Sequence, residues 1–86
     1  MKEAFMTYTY KTKGTCSQSI TFDITDGIVS NVRFMGGCNG NLQGISRLVE
    51  GKRADELISA LEGIRCGFKD TSCPDQLARA LKQHIK

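Results

Sequence analysis

The hydrophobic rhythm of this chain changes once, at Gly36-Gly37, and that change limits the folds available to it. Before the pair, apolar and polar residues alternate, the period of a half-buried strand; after it, apolar residues recur at helical spacing. A sheet built by the first half and helices built by the second have one economical arrangement, with the helices laid on the apolar face of the sheet.

The strands are read segment by segment. Residues 5–12, FMTYTYKT, are rich in Thr, Tyr and Phe, and Gly14 breaks them. Residues 18–25 place Ile20, Phe22 and Ile24 on one side and Thr21, Asp23 and Thr25 on the other. Asp26-Gly27 supplies a two-residue hairpin turn, because both central positions of a type I′ turn need positive φ. The returning strand, 28–35, is expected to show Ile28, Ser30, Val32 and Phe34 on one face.

In the second half, Leu42, Ile45, Leu48 and Val49 make a helical stripe, with Gly51 suited to the position that ends it. A second helix covers roughly 53–62 through Ala54, Leu57, Ile58 and Leu61. A third starts around Cys73-Pro74 and carries Leu77, Ala80, Leu81 and Ile85. The expected fold is α+β: a three-stranded antiparallel β-meander followed by three helices packed on one face, βββααα, in a single domain over residues 1–86.

At 86 residues the domain is small enough to benefit from a disulfide, a metal or a partner subunit. Its net charge of +3 is spread without a like-charge run. A basic stripe with aromatic platforms is missing, so nucleic acid is not an expected partner. The N-terminal segment has no apolar run suited to a signal peptide, and no segment suits a membrane span. The cytoplasm is the expected compartment, where spaced cysteines more often mean metal or catalysis than disulfides.

The four cysteines, Cys16, Cys38, Cys66 and Cys73, all fall at element ends. A structural buried cysteine belongs instead on an inward face. Cys38 and Cys73 fall beside helix starts, where thiolate character is favoured. Paired C-x-x-C knuckles are lacking, so spacing leaves three readings open: a shared metal site, free thiols and, last, disulfides. A thiol nucleophile at Cys38 or Cys73 would need a base. His84, the one histidine, lies roughly 15 Å along the last helix from Cys73 and is read as a solvated terminal residue.

The motifs 36-GGCNGN-41, 63-GIRCG-67 and 71-TSCPDQLA-78 resemble the TSCPD domain, named for residues 71–75 and found at the C-terminus of cobalamin-dependent ribonucleotide reductases and in small stand-alone four-cysteine proteins. The resemblance runs from about Gly14 to the end of the sequence. It implies a link to ribonucleotide reduction, but 86 residues cannot contain a radical-bearing catalytic domain. Activity as a ribonucleoside-diphosphate reductase in its own right is therefore not expected.

More distantly, the chain is similar to IscU/SufU/NifU-type iron–sulfur scaffolds, whose three cysteine positions match Cys16, Cys38 and Cys73. Gln18 stands where the scaffolds have Asp, and Ser72 where several have His or Lys. Cys66 adds a fourth thiol, which turns the expectation from an open assembly site toward a closed one.

The leading expectation is thus a four-cysteine metal-binding module for zinc or an iron–sulfur cluster, using Cys16, Cys38, Cys66 and Cys73. It would act beside ribonucleotide reduction or in metal and cluster handling. The alternative is a nucleotide- or phosphate-binding module built on the glycine-rich turn, with Gly36, Gly37, Asn39 and Asn41 as its residues. Asp75 and Gln76 are assigned an electrostatic role at the helix start. A homodimer is carried as an expectation if Tyr and Met residues occupy an uncovered sheet face.

Overall fold

The computed structural model describes residues 5–15, 17–37, 39–65, 67 and 69–84. Three strands, β1 (Phe5–Lys11), β2 (Ser17–Thr25) and β3 (Ile28–Gly36), are followed by α1 (Asn39–Val49), α2 (Ala54–Leu61) and α3 (Cys73–His84). The sheet is antiparallel in the order β1-β2-β3. The expected βββααα layout is what the chain adopts.

The β2–β3 turn forms where Asp26 and Gly27 take φ of 52° and 81°. This is the paired positive φ that a two-residue hairpin of right-handed twist requires. Ile20, Phe22 and Ile24 of β2 then point to the same side as Val29 and Val32 of β3. They meet Val49 of α1, Ala54 and Leu57 of α2, and Leu77, Ala80 and Leu81 of α3 in one cluster. Phe22, Ile20, Leu77 and Leu81 are fully enclosed, each worth about 1.5–3 kcal/mol of apolar burial.

The third strand departs from simple alternation. Thr21 pairs with Arg33 and Asp23 with Ser30, so β3 holds one more residue than β2 across this interval. Asn31, at φ 53°, sits within that bulge. The extra residue reverses the alternation, so Val29 rather than Ile28 joins Val32 in the core and Ile28 is 37% exposed. The expected grouping of Ile28 and Ser30 with Val32 and Phe34 is corrected accordingly.

Tyr8 and Tyr10 pack against the core cluster on the covered face. The opposite face presents Thr7, Thr9, Thr21 and Arg33, with Met35 at its end 63% exposed. Thr7 and Asn31 both donate to the Asp23 carboxylate there, at 2.6 and 2.8 Å. The outer edge of β3 is partly covered: Val29 N–H donates to Lys52 O and Gly51 N–H to Val29 O, both at 2.8 Å. Among the described residues no helix is long and apolar enough to cross a membrane.

Candidate functional site

The start of α3 organises the end of the molecule where Cys73 lies. Ser72 caps this helix: its Oγ accepts the Asp75 N–H at 3.1 Å, and its carbonyl accepts the Gln76 N–H at 2.8 Å. Such a cap satisfies backbone donors that a helix start leaves unpaired. The same Ser72 hydroxyl donates to Ile64 O at 2.7 Å, tying the chain after α2 to the helix start.

Asp75 and Gln76 do more than balance a helix dipole, because both are buried, with 2% and 1% exposure. The Asp75 carboxylate accepts from Gly63 N–H at 2.7 Å, from the Thr71 hydroxyl, and from Arg79 Nε at 3.0 Å. Burial pushes this carboxyl up, yet the Thr71, Gly63 and Arg79 donors together hold it below the usual carboxylate range. Gln76 Nε2 donates to Thr71 Oγ1 at 3.0 Å, and Gln76 Oε1 accepts the Lys13 N–H at 3.1 Å. Gly14 passes so close that a Cβ there would lie 3.1 Å from the Thr71 methyl, at a φ of 75°.

Cys73 therefore sits where three segments meet. Its side chain is buried, and its Sγ lies 3.2 Å from Ser17 Oγ at the first residue of β2. Ser17 in turn pairs with Gly36 at the last residue of β3. A cleft of about 510 Å³, mainly apolar, opens beside Cys73 and is lined also by Gly40 and Asn41 of α1 and by Arg65. Leu48, expected on the buried stripe of α1, is 75% exposed and lines this cleft with Ile64.

Of the four candidate metal ligands, Cys16, Cys38 and Cys66 lie outside the described residues. Among the described residues no group of three or more His, Cys, Asp and Glu side chains could hold a metal ion. The residues flanking the cysteines can be placed, however. Ser17 follows Cys16, Gly40 comes two after Cys38, and Arg65 precedes Cys66; each either touches Cys73 or lines the cleft beside it.

The glycine-turn residues divide. Gly36 lines a different cleft, between β3 and α1, whereas Asn41 faces the one beside Cys73. Gly37 continues the turn at φ 85°, and Asn39 is the first residue of α1. His84 is not a solvated terminal residue, as expected from sequence. Its ring stacks on Tyr8 at 3.7 Å between centroids and meets Phe22 edge-on at 5.9 Å.

A family model described as the TSCPD domain matches residues 3–85. The chain belongs to the TSCPD-domain family. Comparison with curated proteins and with solved structures gives no match. In this TSCPD domain the name-giving residues divide their labour. Thr71, Ser72 and Asp75 hold neighbouring segments by hydrogen bonds, and Pro74 occupies the first helical turn beside Cys73. Sequence reasoning missed the network of Ser17, Thr71 and Gln76. One signal was available, since Ser72 and Asp75 fit the S-x-x-D spacing of a helix start.

Proposed function

We propose that this TSCPD domain is a metal-binding module in which Cys16, Cys38, Cys66 and Cys73 together hold one zinc ion or one iron–sulfur cluster. The observation that carries the reading is the Ser17 Oγ–Cys73 Sγ contact at 3.2 Å, which sets the residue after Cys16 against the thiol of α3. Two further ties support it. Gln76 holds Lys13, three residues before Cys16, and Ser72 holds Ile64, two residues before Cys66. The buried thiol of Cys73, hydrogen-bonded rather than packed among apolar side chains alone, fits a thiolate donor set.

Four thiolates suit tetrahedral zinc and iron–sulfur clusters alike. The metal would supply cross-linking energy to a small domain, because a site assembled only on folding adds its binding energy to stability. Cys66, the thiol added relative to the iron–sulfur scaffolds, favours stable holding over hand-off. An accessory place beside ribonucleotide reduction rests on the family resemblance.

The test is elemental analysis and an absorbance spectrum of anaerobically purified protein, compared with a Cys73→Ser variant. The reading expects about one zinc per chain, or the charge-transfer bands of a cluster, lost or labile in the variant. Metal-free protein that stays fully folded, with four readily titrated thiols, overturns it.

A further inference from the structure

Strand β2 begins with an irregularity. Alternation that puts Ile20, Phe22 and Ile24 inside would turn Gln18 inward and Ser17 outward. The opposite is found: Ser17 is 4% exposed, and Gln18 lies on the surface. The cause is in the register. Ser17 pairs with Gly36 and Ser19 with Met35, so β2 carries one extra residue against β3 here. Such a bulge breaks the alternation and re-aims the side chain beside it.

Re-aimed in this way, Ser17 Oγ lies 3.2 Å from Cys73 Sγ and 3.1 Å from Thr15 Oγ1. The backbone of Ser17 is pinned as well. Its carbonyl accepts from the Thr12 hydroxyl at 2.6 Å and from the Thr15 hydroxyl at 3.3 Å. A hydroxyl has one proton to donate and lone pairs to accept with. A thiolate sulfur has no proton, so a metal-bound Cys73 fixes the direction of both side-chain bonds. Ser17 donates to the sulfur, and its oxygen is left to accept from Thr15.

We propose that Ser17, aligned by Thr15, is the hydrogen-bond donor that holds the Cys73 thiolate in its metal-binding orientation and tunes its bond to the metal. The assignment rests on the four-cysteine site proposed above. Ser17 is a positioning residue, acting on the metal only through sulfur. A hydrogen bond to an anionic acceptor is stronger than a neutral one, and it draws electron density from the sulfur. Partners of this kind orient a ligand and set its basicity, and their loss typically costs about 10–100-fold in metal affinity.

Anaerobic titration of the reduced, metal-free full chain with cobalt(II) alone tests this, because thiolate-bound cobalt has a sulfur-to-metal charge-transfer band. Ser17→Ala should weaken cobalt binding about 10–100-fold and move that band to lower energy, since the sulfur lone pairs lose a stabilising proton. Thr15→Val should shift the band less, in the same direction, and it decides the matter if Ser17→Ala does not fold. Thr9→Val, which removes a hydroxyl on the outer sheet face, should change neither reading. Wild-type affinity and an unshifted band in Ser17→Ala would overturn the proposal and leave the four-cysteine site standing. Weaker binding with an unshifted band would overturn it too, because a serine that serves only the fold behaves that way. A wild-type chain that takes up no thiolate-bound cobalt would overturn the four-cysteine site and this assignment together.

Discussion

Gln76 accepts the Lys13 N–H at 3.1 Å across a sequence separation of 63 residues, joining the turn after β1 to the first turn of α3. The same side chain donates to Thr71 and is 1% exposed. Gln76→Ala removes both bonds and leaves a void in a closed site. The expected loss is about 2–3 kcal/mol, combining unpaired polar groups with lost packing. Urea unfolding measures it, and a loss below about 0.5 kcal/mol would show the network to be incidental.

Asn31 holds φ 53° in the bulge and donates to Asp23 at 2.8 Å. Asn31→Val should destabilise by about 1–3 kcal/mol, since a β-branched residue is strained in the left-handed region. Asn31→Gly keeps the backbone conformation accessible and loses mainly the side-chain bond, so it should cost less. Equal unfolding midpoints for the two variants would contradict the assigned role of this φ.

The Asp23 carboxyl is held below its ordinary value of 3.8 by the Asn31 and Thr7 hydrogen bonds, against burial and with help from Arg33. Its folded form therefore binds fewer protons than its unfolded form near that pH. The stabilisation is present above pH 3.8 and is lost as pH falls through the depressed folded value. Between about pH 6 and pH 3, unfolding midpoints of Asp23→Asn should fall less steeply than those of the wild type. Parallel curves would remove Asp23 from the account of acid sensitivity.

His84 stacks on Tyr8 at the far end of α3 from Cys73. His84→Ala should cost about 0.5–1.5 kcal/mol through the lost ring contact and leave the alkylation rate of Cys73 unchanged. A change in that rate without a change in stability would revive a histidine–thiol pairing.

The sheet and helices were legible because they rest on periodicity. The alternation around Phe22, the Asp26-Gly27 turn and the stripe of Leu77, Ala80 and Leu81 each reported a local rule that tertiary packing obeyed. What stayed hidden depends on one residue or on distance. The bulge at Asn31 turns on a single positive φ, which hydrophobic spacing cannot register, and it cost the reading of Ile28 and Val29. His84 looked like a helix end because its ring partners belong to β1 and β2. Asp75 and Gln76 looked like ordinary first-turn residues because their donors come from Gly63, Thr71 and Lys13, whose proximity only the fold creates.

The bond between Lys13 and Gln76 also sets an order of events during synthesis. A ribosome delivers residues 12–17 well before 71–77, so β1 and β2 emerge with the inner side of their sheet bare and the turn at Gly14 unanchored. Ser17 meets Cys73 only after α3 has left the exit tunnel. The contact around that thiol therefore forms late, and a nascent fragment ending before α3 leaves Ile20 and Phe22 without the Leu77, Ala80 and Leu81 side chains that cover them.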